Sequence, residues 1–108
     1  SVVKISEMAA HYDNIFDYLR GQVPGLYIGP AVDGGGQPEM RIRGVKSINA
    51  DLTPLILVDG SEMTNIGNLD PNIVDRVTVL KGPETAIYGA RGSNGVILIK
   101  TRTALDWQ

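Results

Sequence analysis

Asp75-Arg76-Val77-Thr78-Val79-Leu80-Lys81-Gly82-Pro83-Glu84-Thr85-Ala86-Ile87-Tyr88-Gly89-Ala90-Arg91-Gly92-Ser93-Asn94-Gly95-Val96-Ile97-Leu98-Ile99-Lys100-Thr101-Arg102 holds two apolar-rich runs separated by a segment punctuated with glycine and proline. From Arg76 to Leu80 polar and apolar side chains nearly alternate, which predicts a strand with one face buried. Gly82-Pro83 stops it, because proline has no N–H for a ladder and glycine allows the turn. Glu84 to Tyr88 carries helix formers with an early acid, and Gly89 sits where a short helix would end in the left-handed conformation. Val96-Ile97-Leu98-Ile99 is apolar throughout and predicts a strand covered on both faces. Strand, helix and strand, with about fourteen residues between the strands, predict a right-handed crossover joining parallel strands.

Working outward, Ile5, Met8, Tyr12, Ile15 and Leu19 recur at three- and four-residue spacing. They predict an amphipathic helix from Ser6 to Arg20, with Ser6 as N-cap and Gly21 just past its end. Leu26-Tyr27-Ile28 reads as a short strand with Tyr27 facing away from its neighbours, and Met40-Arg41-Ile42-Arg43 alternates so that both arginines leave the core. Pro54 opens Leu55-Ile56-Leu57-Val58, a central strand ended by the Asp59-Gly60 turn. Asp70-Pro71 has the cap and first-turn proline of a short helix reaching about Val74. The fold class expected is α+β: a small mixed β-sheet containing residues 40–43, 55–58, 76–80 and 96–101, with packed helices and long loops.

At 108 residues with 43% hydrophobic content the chain is read as one domain, residues 1–108. A net charge of −2 argues against nucleic acid, whose phosphates need a basic face. With no cysteine there is no disulfide, no thiolate chemistry and no Cys-based zinc site. The single histidine, His11, falls off the apolar stripe and has no second ligand beside it, so no metal is expected. Asp51, Asp59, Glu62, Asp70 and Asp75 are scattered without calcium-loop spacing, and no acid is paired with a nucleophile. Gly34-Gly35-Gly36 lacks the Gly-Lys-Ser/Thr ending of a phosphate cradle, and the glycines of Gly89 to Gly95 lead into a strand instead of a helix. No catalytic residue, cofactor or enzyme activity is expected. The aliphatic runs are far short of the about twenty residues of a membrane-spanning helix. Ser1-Val2-Val3-Lys4 lacks a signal-peptide pattern, which suggests a mature form or an excised piece.

Four blocks resemble, in order, the plug domain of TonB-dependent outer-membrane receptors. They are Leu19-Arg20-Gly21-Gln22-Val23-Pro24-Gly25-Leu26, Arg41-Ile42-Arg43-Gly44, Pro54-Leu55-Ile56-Leu57-Val58-Asp59-Gly60, and the opening stretch from Thr78 through Thr101. Ser47-Ile48-Asn49-Ala50 and Arg91-Gly92-Ser93-Asn94-Gly95 look like the SusC/RagA branch, while Lys81-Gly82-Pro83 departs toward siderophore and vitamin receptors. A receptor barrel of over twenty strands, each about nine to eleven residues long, exceeds what this chain can supply. The expectation is therefore a plug with the barrel and the TonB-binding segment not present in the chain.

The resemblance implies a gating domain that occludes a barrel lumen in the outer membrane, facing the periplasm, and takes part in energised nutrient import. The imported ligand it implies is an oligosaccharide or peptide, with a siderophore ranked behind them. Its implied partners are the β-barrel of the same receptor, TonB through an upstream segment, and a surface lipoprotein lid. Arg41, Arg43 and Arg91 are the residues it suggests for seating the plug against barrel carboxylates. Loops at Val32 to Gln37, Ser47 to Leu52 and Ser61 to Asn68 would face the ligand chamber, with Asp33, Gln37, Ser47, Asn49, Asp51, Glu62 and Asn65 as candidate contacts. The alternative is a plug-like interaction module of a barrel-less periplasmic or surface protein.

Overall fold

The computed structural model describes residues 2–4, 14–30, 32, 37–45 and 53–102. The strands are β1 (Val2–Lys4), β2 (Leu26–Ile28), β3 (Met40–Ile42), β4 (Leu55–Val58), β5 (Ser61–Glu62), β6 (Val74–Leu80) and β7 (Val96–Thr101), with helix α1 at Ile15–Gln22. They form a five-stranded sheet in the order β1-β6-β7-β4-β5 and a separate two-stranded sheet of β2 and β3. The main sheet is mixed: β4 and β7 are parallel, and the β1–β6, β6–β7 and β4–β5 pairs are antiparallel. The α+β expectation holds.

Three particulars differ from the sequence reading. First, β6 and β7 are antiparallel, so the stretch that joins them is no crossover. Their connection is a 3-10 segment, Gly82–Gly92, broken at Gly89 by φ 64 and ψ −148. A kinked segment of that kind reverses the chain but does not travel back along a seven-residue strand, as a parallel return requires. The parallel partner of β7 is β4 instead. Second, β3 pairs with β2 in its own ladder, Leu26 opposite Ile42 and Ile28 opposite Met40, and is not in the main sheet. Third, α1 begins only at Ile15. Asn14 is extended and caps it, its side chain accepting from the Asp17 N–H at 2.9 Å and donating to the Asp17 carboxylate at 3.0 Å. With Asn14 extended, the helix does not run unbroken from Ser6 to Arg20, and the Ser6 cap with Ile5, Met8, His11 and Tyr12 lies outside the described residues. At the other end the helix runs through Gly21, and the Val23 N–H closes it on the Leu19 carbonyl at 3.1 Å.

One core joins these elements. Ile15, Tyr18 and Leu19 of α1, Leu26, Ile28, Met40 and Ile42 of the hairpin, and Ile56, Val77, Val79, Ile97 and Ile99 of the main sheet form a single buried cluster. The register explains the sheet side of it: Val77 faces Ile99, Val79 faces Ile97, and Ile56 sits beside Ile97. The opposite face carries Leu57, Leu98, Thr78 and Arg76, which are only partly covered. Leu98 is therefore not enclosed on both sides as its apolar run suggests.

The local punctuation follows the sequence closely. Asp70 caps Pro71–Ile73 by accepting from the Asn72 N–H at 2.9 Å. Asp59 and Gly60, at φ 51 and φ 89, form the two-residue turn between β4 and β5, where both residues need left-handed backbone. Asp59 also does something no local signal announces. Its carboxylate accepts from the Thr101 N–H at 2.9 Å and from the Thr101 hydroxyl at 2.7 Å, fastening the turn to the end of β7. Hydrogen bonds to a charged acceptor contribute about 1.5–3 kcal/mol. Asp59→Ala should thus lower stability by about 2–4 kcal/mol, adding left-handed strain to the lost bonds. Asp59→Asn keeps an acceptor and tolerates the turn, so denaturant unfolding of the two variants should place it between wild type and Asp59→Ala. Equal losses would mean that the Thr101 contact contributes nothing.

Candidate functional site

The arginines of β3 and its following turn lie at one corner of the molecule. Alternation directs Met40 and Ile42 into the core, leaving Arg41 and Arg43 exposed. The Arg41 guanidinium lies 4.6 Å from the centre of the Tyr27 ring, its cross-strand neighbour, so the cation is held by the ring face. The Arg43 N–H donates to the Gly25 carbonyl at 2.8 Å, fixing the end of the hairpin, and Gly44 turns the chain at φ 86. Among the described residues neither arginine has a carboxylate partner. Lys81 joins them: a Cβ at Gly44 would stand 3.6 Å from the Lys81 Nζ. A shallow depression of about 330 Å3 is lined by Tyr27, Arg41, Arg43 and Val45, and the adjoining one by Gly44, Lys81 and Ser93. The corner therefore gathers three cations, Arg41, Arg43 and Lys81. The sequence reading missed Lys81, because what brings it near Arg43 is the packing of the β6 end beside the Gly44 turn that follows β3.

Arg91 is elsewhere and is engaged. Its guanidinium forms an ion pair with Glu62, although both side chains remain substantially exposed. One residue expected to meet the barrel and one expected to meet ligand thus face each other across a groove that includes Thr53, Pro54, Leu55 and Met63. The segment from Ser61 to Asn68 also begins with strand β5 and is not wholly loop. Gln37, half-buried, accepts from the Ile66 N–H at 2.8 Å, and Asn65 accepts from the Gly67 N–H at 2.8 Å. Gln37 and Asn65 consequently belong to one loop cluster over the buried Ile66. Asp33, Ser47, Asn49 and Asp51 lie outside the described residues. Among the described residues no three of His, Cys, Asp and Glu gather as metal ligands would, and no helix is long and apolar enough to cross a membrane.

The family model of the TonB-dependent receptor plug domain matches residues 1–96. This chain belongs to that family. The plug domain is 39% identical to the TonB-dependent receptor SusC of Bacteroides thetaiotaomicron over 88% of this chain and 11% of SusC. It is 36% identical to the TonB-dependent receptor P39 of Formosa agariphila over 78% of this chain and 8% of that receptor. Among solved structures, the RagAB peptide importer in its open-open state superposes with a TM-score of 0.74 at 34% identity, over 94% of this chain and 12% of its own. The plug domain therefore spans about a tenth of the length of the proteins it matches. These likenesses fall in the SusC/RagA-like branch, as the Ser47-Ile48-Asn49-Ala50 and Arg91-Gly92-Ser93-Asn94-Gly95 segments indicate in the sequence.

Proposed function

We propose that this chain is the gating domain of an outer-membrane TonB-dependent receptor, lodged in the lumen of a β-barrel supplied by the same polypeptide and taking part in energised import of a peptide or oligosaccharide. The observation that carries this reading is the likeness to RagAB over 94% of the chain, at an identity well above what a shared fold alone requires. RagAB is a peptide importer, which supports the peptide half of the ligand class; the oligosaccharide half rests on the SusC/RagA resemblance. The physical task is plain. A barrel of some twenty strands leaves a water-filled lumen, and a folded domain inside it closes the hole. Extents of 39 × 36 × 21 Å give this domain the bulk to do so.

Seating is assigned to the basic corner. Arg43, with Arg41 and Lys81 beside it, would meet barrel carboxylates, for which a guanidinium is suited by its planar fork and permanent charge. Arg91 could join only by exchanging Glu62 for a wall carboxylate. Gln37, Glu62 and Asn65, with the loop residues Asp33, Ser47, Asn49 and Asp51, would face the ligand, under a surface lipoprotein lid. TonB would act through a segment upstream of Ser1.

The test is single-channel conductance of the complete receptor in a planar bilayer. Removing this domain should open a large, persistent pore. Arg43→Ala should produce a smaller leak while changing the stability of the 108-residue chain by no more than about 0.5 kcal/mol, as for other surface changes. A domain deletion that leaves conductance untouched, or a full-length chain without a barrel, would overturn the gating role in favour of an interaction module.

A further inference from the structure

We infer that the outer face of the main sheet is a second seat, built to take an acidic segment of the barrel wall at Arg76 and Lys100. The inference rests on the reading of this chain as a plug, but on different residues from the basic corner. Arg76 and Lys100 are direct cross-strand partners on β6 and β7, and Lys4 is the register partner of Arg76 on β1. Two cationic residues, Arg76 and Lys100, are thus directly abreast on adjacent strands. Arg76 and Lys100 lie on the face opposite Val77 and Ile99, away from the core. Like charges directly opposite one another on neighbouring strands destabilise a sheet, so the arrangement works against the domain on its own.

Compensation from within is incomplete. The Asp75 carboxylate, from the adjoining position of β6, lies 3.3 Å from the Arg76 Nε, and the Arg76 side chain stays 41% exposed. Asp59 is nearby, but its carboxylate is committed to the Thr101 N–H and hydroxyl. Lys100 is exposed and has no acidic partner among the described residues. Beside this row lies a shallow depression of about 430 Å3, lined by Leu57, Leu98 and Thr78 as well as by Arg76 and Lys100. The face thus offers an apolar floor edged by cations, complementary to carboxylates with an aliphatic side chain between them.

The occupant favoured is the rest of the receptor. The relatives are about ten times as long as this chain, so the polypeptide outside it is large enough to surround the domain. Arg76 and Lys81 are five residues apart along an extended strand, roughly 17 Å. The two basic sites therefore stand at opposite ends of β6. A plug held at both would resist rotation in the lumen as well as displacement along it.

The experiment is zero-length coupling of amines to carboxylates by a carbodiimide in the complete receptor, with the linked peptides mapped by mass spectrometry. Lys100 should be recovered joined to an Asp or Glu beyond residue 108, and Lys100→Arg, which keeps the charge but cannot be coupled, should abolish that link. In the same preparation Lys100 should be lost to acetylation by a water-soluble reagent, yet react freely in the separate 108-residue chain. A Lys100 that remains freely acetylated in the receptor, or that links only within residues 1–108 or to a second copy of the receptor, overturns the inference. If deleting the domain opens the pore while Lys100 stays free, this seat is wrong and the gating role stands. If deletion leaves conductance unchanged, the gating role itself has failed, and with it the premise of this seat.

Discussion

Replacing Gly95 by alanine is expected to lower the melting temperature of this chain by on the order of 15 °C. Gly95 precedes β7 at φ 94, where an L side chain costs about 1–2 kcal/mol. It is also packed: a Cβ there would overlap the Ile42 Cδ1 and lie 3.2 Å from the Leu80 carbonyl oxygen. Ile42 belongs to the hairpin and is buried in the core, so it cannot swing away without disturbing Met40 and Leu26. Overpacking of this kind costs a further 1–3 kcal/mol, roughly. The sum, about 3 kcal/mol, is a large share of the 5–15 kcal/mol typical of a domain. Gly60 supplies the control. It has φ 89 but nothing within 4 Å of the position a Cβ would take, so Gly60→Ala carries the strain without the clash. Thermal melts followed by circular dichroism should rank Gly95→Ala well below Gly60→Ala. Equal shifts would mean that the approach of hairpin and sheet at Gly95 is not tight.

Ile97→Asp should abolish cooperative folding, whereas Leu98→Asp should leave a folded domain. Ile97 is 0% exposed and sits between Val79 and Ile56 in the core cluster. An aspartate there forfeits the burial of an isoleucine and leaves an unpaired carboxylate out of water, a combined cost of several kcal/mol that the domain cannot absorb. Leu98 points to the other face, where it is partly exposed beside Arg76 and Lys100. The loss there should be about 1–2 kcal/mol, offset in part by attraction to those cations. The apolar run Val96-Ile97-Leu98-Ile99 by itself makes both changes equally disruptive. Chemical-shift dispersion and denaturant melts of the two variants distinguish these cases, and an unfolded Leu98→Asp chain would show that the outer face is covered within the domain itself.

Where the longer strands stop, and where their turns begin, was legible in the residues, though the short strands β1 and β5 were not. Asp59-Gly60, Asp70-Pro71 and Gly82-Pro83 act through their own backbone: a proline without an N–H, a carboxylate reaching an N–H two positions on, a glycine free to take positive φ. The period-two pattern likewise put Leu26, Ile28, Met40 and Ile42 inward and Arg41 outward, since alternation is a property of the strand alone. The family was legible too, because its short blocks keep their order along the chain.

Which strand lies beside which was decided only in three dimensions. Nothing local in Val74–Leu80 or Val96–Thr101 makes them antiparallel, or makes β4 the parallel neighbour of β7; the choice follows from burying Ile56, Val77, Val79, Ile97 and Ile99 under one helix and one hairpin together. The same holds for β3, whose alternation fits any sheet but whose partner is β2. Asp59 and Thr101 are 42 residues apart, Gln37 and Ile66 29 apart, and Lys81 meets the arginine corner only because β6 ends next to Gly44. The residues determined most of the elements and the inward face of those that alternate, because these depend on interactions within a few peptide units. Pairing, and with it the candidate site, depends on which faces can be removed from water at the same time, and that is a property of the assembled chain.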